Sequence, residues 1–155
     1  MKMRRIVALL TVCMVVAGSL TITAQAENLY SESIVQMEDM CCEIIDALQI
    51  EHFDRSLLPR ITYSIRDQIP GQTIHSSNEK ISLVSRQIVT INCSYSPSSA
   101  SVDFGVIAPD GYFYFLNVEG GSINRSIRVN QNGDYAVAIR NNSSNTIYVT
   151  GFVDY

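Results

Sequence analysis

The sequence has little histidine, a residue that most hydrolases and zinc proteins need. It has two histidines, His52 and His75, and neither stands in a motif with a cysteine or serine. Nucleophilic catalysis requires a base beside the nucleophile, so a secreted hydrolase is kept only as an alternative hypothesis. The chain also lacks a Cys-x-x-Cys pair with a histidine nearby. We therefore predict no catalytic residue, no metal ligand and no cofactor.

Basic residues are also scarce. Lys and Arg number 11 against 15 Asp and Glu, and three of the basic residues, Lys2, Arg4 and Arg5, lie at the start. Beyond residue 26 the balance is therefore eight basic against 15 acidic, a net charge near −7. Nucleic acids and anionic lipids bind to surfaces rich in Lys and Arg. We accordingly expect neither as a partner.

Long apolar runs are limited to the beginning of the chain. Three basic residues precede the run 6–17, and the small residues of Ala-Gln-Ala end at Ala26. This layout is typical of a signal peptide, so we predict that residues 1–26 are cleaved after Ala26. A retained anchor is the alternative, but a spanning helix needs roughly 20 apolar residues. The protein is expected to be secreted or associated with the cell surface, with no membrane segment after cleavage.

Residues 27–58 form an acidic segment in which a helix is expected. Apolar residues between 33 and 50 recur at spacings of three and four, which is typical of an amphipathic helix. This stripe consists of Ile34, Met37, Cys41, Ile44 and Leu48. Such a stripe needs a partner, which is the surface of the following domain, a second copy of the chain or another protein. Self-association through the stripe is one of the open hypotheses.

From residue 59 to residue 155 the apolar period changes from 3.6 to two. Short alternating segments are separated by turn residues every 8 to 12 positions, a pattern that predicts antiparallel sheets. Asp110-Gly111 and Asn132-Gly133 have the chemistry of hairpin turns. We predict a mainly β fold, a two-sheet antiparallel β-sandwich of jelly-roll-like character preceded by one amphipathic helix. A closed barrel is the second choice.

Three cysteines lie beyond the predicted cleavage point: Cys41, Cys42 and Cys93. An odd number does not describe a closed disulfide framework. A bridge between Cys42 and Cys93 is one hypothesis. The alternative is that Cys93 is a small apolar core residue on a strand.

An aromatic run, Tyr112-Phe113-Tyr114-Phe115, suggests a binding surface. Alternate side chains of a strand point to opposite faces. If Phe113 and Phe115 belong to the core, Tyr112 and Tyr114 stand outside and offer flat rings to a sugar or a protein partner. The alternative is that the tyrosines cover neighbouring strands.

The C-terminal half carries a family resemblance. Ala108-Pro109-Asp110-Gly111 and the later run Val129-Asn130-Gln131-Asn132-Gly133-Asp134-Tyr135-Ala136-Val137 resemble small secreted proteins of Gram-positive bacteria. More distantly, residues 87–155 are similar to bacterial pre-peptidase C-terminal domains and GOLD-type sandwiches. The resemblance implies a sandwich fold and an extracellular accessory or recognition role rather than a reaction. The expected function is therefore non-enzymatic binding of an unknown protein or glycan, with a carbohydrate-binding module as the narrower alternative.

Overall fold

A computed structural model describes residues 34–45, 50–53 and 62–155. The predicted signal peptide 1–26 and Leu48 lie outside these ranges. Within them no helix is long and apolar enough to cross a bilayer. The strands are β1 (Ile34–Gln36), β2 (Cys41–Ile44), β3 (Ile50–Phe53), β4 (Thr62–Ile69), β5 (Ile74–Ser77), β6 (Ile81–Leu83), β7 (Ile88–Ser96), β8 (Val102–Ile107), β9 (Tyr112–Val118), β10 (Ser122–Arg128), β11 (Gly133–Asn141) and β12 (Ile147–Asp154).

The strands form two sheets that share one core. The five-stranded sheet has the order β1-β10-β7-β12-β4. The seven-stranded sheet has the order β2-β9-β8-β11-β5-β3, and β6 also pairs with β11. This arrangement confirms the prediction of a mainly β, two-sheet sandwich. The prediction that all strands are antiparallel is wrong, because β3 runs parallel to β5.

Alternating apolar side chains build the core between the sheets. On β7, Val89, Ile91 and Cys93 are buried while the residues between them are not. Phe104 of β8 and Tyr135 of β11 are among the largest fully buried side chains and face the same core. Burial of such residues stabilises a fold by roughly 1.5–3 kcal/mol each relative to exposure. On strands with this pattern, such as β7, the period of two therefore decides which face is inside.

The predicted amphipathic helix is wrong in the described residues of its range. Strands β1, β2 and β3 occupy it, with a single 3-10 turn over Met37–Asp39. Met37 is buried in the sandwich core, whereas Cys41 and Ile44 are exposed. Because β2 pairs with β9 along its length, adjacent side chains of β2 alternate between faces, and no helical stripe exists there. Tertiary strand pairing outweighed the local spacing pattern.

The two glycine turns differ in outcome. Asp110-Gly111 joins the paired strands β8 and β9, so the predicted hairpin is confirmed. The hairpin predicted at Asn132-Gly133 is wrong. That turn leads from β10 in the five-stranded sheet to β11 in the seven-stranded sheet, and it therefore connects the two layers of the sandwich.

Candidate functional site

The aromatic strand β9 presents the opposite faces from those expected. Tyr114 packs against the main core together with Leu116 and Val118. Phe113 and Phe115 instead belong to a second cluster on the outer face of the seven-stranded sheet. Both faces of β9 are apolar, so alternation alone did not distinguish inside from outside. The tyrosine pair is consequently not the outward-facing pair.

Tyr112 and Tyr114 also make contacts within the protein. The Tyr114 hydroxyl donates to Oδ2 of Asp110 at 2.9 Å, and its ring centre lies 6.3 Å from that of Tyr112. Burial, together with the neighbouring Asp110 carboxylate, raises the pKa of Tyr114 to about 12. The Asp110 carboxylate also accepts from Gln131 at 3.1 Å. These bonds hold the tyrosine in the turn region and restrict its use as a ligand platform.

The outer face of the seven-stranded sheet is largely covered by its own side chains. The guanidinium carbon of Arg140 lies 4.6 Å from the ring centre of Phe115 and 5.7 Å from that of Phe113. Nη1 of Arg140 donates to Glu43 at 2.5 Å. Ile45 packs against the same cluster. The rings and charges of this cluster are thus engaged with one another.

The outer face of the five-stranded sheet is different in character. We call it the polar face. Its side chains alternate with the buried core residues of β4, β7, β10 and β12, and none of them is buried. Its members are Thr62, Ser64, Arg66, Gln68, Ile88, Thr90, Asn92, Ser94, Ser96, Ser122, Asn124, Ser126, Arg128, Tyr148, Thr150, Phe152 and Asp154.

Two aromatic residues of β12 stand on this polar face. Tyr148 is 60% exposed and Phe152 is 39% exposed. They lie four residues apart on one strand, which places them about 13 Å apart along the sheet. The sequence analysis missed them, although the inward alternation of Ile147, Val149 and Val153 was a usable signal for both.

Strand register arranges neutral hydrogen-bonding groups beside the two rings. One row crosses the sheet at Tyr148 and the other crosses it at Phe152. The first contains Ser96, Tyr148 and Gln68, and the second contains Asn124, Asn92, Phe152 and Ser64. Nearby pairs are hydrogen-bonded across strands, as in Thr90 with Ser126 at 2.9 Å. The rows place hydroxyl and amide groups on both sides of each aromatic ring.

His75 lies between two carboxylates. Nδ1 of His75 lies 2.6 Å from Oδ2 of Asp67, and Nε2 lies 3.1 Å from Oε2 of Glu51. The second contact lacks hydrogen-bond geometry. His75 thereby connects β5 of the seven-stranded sheet to β4 of the five-stranded sheet. This arrangement joins the two sheets. Both imidazole nitrogens contact carboxylates rather than a nucleophile.

The three thiols are unbridged in the structure. Cys41 and Cys42 are exposed on β2, whereas Cys93 is buried on β7 in the other sheet. Burial raises the pKa of Cys93 to about 12. Cys93 behaves as an apolar core residue, and the proposed pair Cys42–Cys93 is present as two free thiols.

No protein-family model matches the sequence, and no curated protein matches it. Among solved structures, PliG, a periplasmic inhibitor of g-type lysozyme from Aeromonas hydrophila, is similar with a TM-score of 0.51 and 12% identity, over 68% of this chain and 96% of that chain. The pre-peptidase C-terminal domain of a Bacillus anthracis collagenase has a TM-score of 0.43 and 9% identity, over 66% and 93%. PliG of Salmonella Typhimurium has a TM-score of 0.41 and 10% identity, over 68% and 96%. The similarity to the Aeromonas protein supports the sandwich fold.

Proposed function

We propose that this protein is an exported, non-enzymatic binding protein that holds a neutral glycan chain on the polar face. The observation that carries the proposal is the exposure of Tyr148 and Phe152, each of which stands in a row of neutral hydrogen-bonding side chains. Sugar rings have apolar faces that stack on aromatic rings and hydroxyls that pair with polar groups. An aromatic ring supplies flat apolar area at little entropic cost.

The charge of the polar face favours a neutral ligand. Arg66, Arg128 and Asp154 are the members of the polar face that are charged at neutral pH. Asp154 accepts from Thr62 at 2.6 Å, so its carboxylate is engaged within the sheet. Two separated arginines do not form the continuous basic surface that a phosphate backbone requires. Hydroxyl and amide groups therefore dominate the recognition chemistry.

The dimensions of the face also fit a chain rather than a single small molecule. The two rings are separated by about four strand residues, or about 13 Å. A ligand that contacts both rings must extend along β12 over more than one sugar unit. Binding would then depend on both aromatic residues, with each contributing a separate stacking contact.

The compartment is part of the proposal. Residues 1–26 remain a predicted signal peptide, and the ligand would accordingly be an extracellular or cell-wall polysaccharide. Export brings the polar face to such polymers without any need for a membrane segment. The role is accessory binding, because the histidine cluster provides a structural junction rather than a nucleophile and base.

The experiment is a binding assay with immobilised neutral polysaccharides, namely cellulose, xylan, mixed-linkage β-glucan and chitin. The double variant Tyr148→Ala/Phe152→Ala should bind at least about tenfold more weakly than the wild type, equivalent to about 1.4 kcal/mol. Tyr148→Phe retains the ring and should bind nearly as the wild type does. Val84→Ser changes an exposed apolar residue away from the face and is the matched control.

Two results would reject the proposal. One is the absence of binding to every polysaccharide by the wild type. The other is equal binding by the double variant and the wild type, which would show that the aromatic pair is not the contact surface.

A protein partner is the second candidate. The fold similarity that covers 96% of Aeromonas PliG, a lysozyme inhibitor, favours it. A test is the lysis of bacterial cells by g-type lysozyme with and without the purified protein. Unchanged lysis at excess protein would remove inhibition of that enzyme from consideration.

A further inference from the structure

Two neighbouring residues of an exposed sheet edge carry thiols. Cys41 and Cys42 are both exposed on β2, which is the last strand at one end of the seven-stranded sheet. Their neighbour Ile44 is 70% exposed. An edge strand presents backbone donors and acceptors that can pair with another chain.

Neither exposed thiol has a suitable partner within the described chain. Adjacent residues of a strand point to opposite faces, so Cys41 and Cys42 cannot bridge while β2 remains paired with β9. Cys93 is buried in the core on a strand of the other sheet. In an oxidising compartment, an exposed thiol of this kind can form a disulfide bond with a second molecule.

Symmetry restricts how two β2 edges can pair. The two-fold axis of an antiparallel pair is normal to the sheet, so residues that face each other across it must lie on the same face. Odd-numbered residues of β2 therefore oppose odd-numbered ones, and even-numbered residues oppose even-numbered ones. The possible centres on β2 near the thiols are Cys41, Cys42 and Glu43.

The extent of β2 and its charge select among these centres. A pair centred on Cys41 would leave only Cys41 of each β2 strand paired, because residues 42–44 would face residues 38–40, which precede the strand. A pair centred on Glu43 would set two Glu43 carboxylates face to face. Like charges directly opposite each other destabilise a sheet. The pair centred on Cys42 joins residues 41–43 of both strands and sets Glu43 opposite Cys41, so no acidic residues of β2 face each other.

We infer that β2 is a dimerisation edge, at which two copies pair antiparallel about Cys42 and are joined by a disulfide between the two Cys42 residues. Directly opposed residues of an antiparallel pair have Cα atoms about 4.5–5.5 Å apart. That separation lies within the range of about 4.4–6.8 Å that a disulfide spans. The bridge thus requires no displacement of the strands.

The bond forms by thiol–disulfide exchange with a low-molecular-weight disulfide such as oxidised glutathione. The Cys42 thiolate of one copy attacks the reagent and releases one glutathione thiolate, which takes up the proton. The Cys42 thiolate of the second copy then displaces the other glutathione. Two protein thiols are oxidised to one disulfide while one glutathione disulfide is reduced to two thiols.

The dimer would also determine where the polar faces lie. Because the axis is normal to the joined seven-stranded sheets, both five-stranded sheets stand on the same side. Two polar faces directed at one polymer would raise the apparent affinity through effective concentration. The dimer itself does not depend on the nature of the ligand.

The test compares the wild type with Cys42→Ser and Cys41→Ser after incubation with oxidised and reduced glutathione. The reactions are stopped by alkylation and run on a non-reducing gel. The wild type and Cys41→Ser should form a covalent dimer, and Cys42→Ser should remain a monomer. Peptide mapping of the dimer should yield a Cys42–Cys42 cross-link. A far-ultraviolet circular dichroism spectrum checks that both variants are folded.

A wild type that stays monomeric overturns the inference. So does a dimer that forms equally well in both variants, because cross-linking would then be independent of register. Polysaccharide binding by the Cys42→Ser monomer is measured separately, so a failure of the proposed function leaves the cross-linking result intact.

Discussion

Arg140 and Asp103 face each other across β11 and β8, and Nε and Nη2 of Arg140 both lie 2.8 Å from Oδ2 of Asp103. Asp103 is only 1% exposed, so its charge has little access to water. Its other carboxylate oxygen accepts from Asn117 at 2.6 Å. Desolvation lowers the pKa of Arg140, but the hydrogen bonds to Glu43 and Asp103 outweigh that effect and raise it overall. The ion pair is thus a fixed part of the outer face of the seven-stranded sheet.

Removal of the arginine should therefore be costly. We expect Arg140→Ala to lower the free energy of unfolding by about 3 kcal/mol, because it leaves a buried carboxylate without its cation. Urea denaturation followed by circular dichroism measures the change. The control is Arg66→Ala on the polar face, which should alter stability by no more than about 0.5 kcal/mol. Equal effects of the two substitutions would contradict a stabilising role for the pair.

Stability at alkaline pH should depend on Tyr114. Burial and the hydrogen bond to Asp110 raise the pKa of Tyr114 from 10.0 to about 12 in the folded state. The folded protein therefore favours the neutral phenol. Its contribution is fully present below about pH 10 and is lost as the pH rises from there towards 12.

This dependence is measured as the free energy of unfolding of the wild type and Tyr114→Phe at pH 8, 10 and 11. The wild type should lose more stability than Tyr114→Phe between pH 10 and pH 11. Tyr148→Phe, on an exposed residue, should follow the wild type. Parallel curves for the wild type and Tyr114→Phe would show that the raised pKa has no energetic consequence.

The thiols should differ sharply in reactivity. In the reduced protein freed of residues 1–26, Cys41 and Cys42 should react quickly with Ellman's reagent at pH 8. Cys93 should react only on unfolding, because a pKa of about 12 leaves almost no thiolate and the core excludes the reagent. The expected result is two fast equivalents in buffer and three in denaturant. Three equally fast equivalents in buffer would contradict the buried position of Cys93.

Close backbone approach should make Gly105 intolerant of substitution. A Cβ atom at Gly105 would lie only 1.9 Å from the carbonyl oxygen of Tyr114 on the paired strand β9. Gly105→Ala should cost about 3 kcal/mol or more, because neither strand can move without breaking its pairing. The measurement is again urea denaturation.

Gly120→Ala is the matched comparison. A Cβ there meets open space, but φ is +95°, so the variant should lose only about 1–2 kcal/mol from backbone strain. A loss at Gly105 no larger than that at Gly120 would show that the sheet relaxes around the added methyl group.

Strands β7 and β12 were predictable because local and tertiary preferences agree there. On β7 and β12, apolar residues face the core at every second position, and the residues between them are polar or exposed. The candidate face on β12 was accessible to the same reasoning. Tyr148 and Phe152 occupy outward positions as soon as Val149 and Val153 are assigned inward.

The acidic segment was not predictable in the same way. Its apolar residues follow a spacing of three and four, yet β2 is held at one edge of the seven-stranded sheet and β3 at the other. A short segment has a weak intrinsic preference, and pairing with an existing sheet satisfies its backbone hydrogen bonds equally well. Met37, which the spacing pattern assigned to the apolar stripe of a helix, lies in the sandwich core instead.

The amino-acid sequence by itself determined the alternation of inward and outward residues on strands such as β4, β7 and β12, and with it a two-layer β fold. Only the tertiary structure decided which strands pair and which face of β9 is inside. The physical reason is that alternation relates residues within one strand, whereas burial depends on what lies opposite. Phe113 and Tyr114 are both large and apolar, and their faces were assigned by the sheet packed against Tyr114 and by the arginine lying over the phenylalanines.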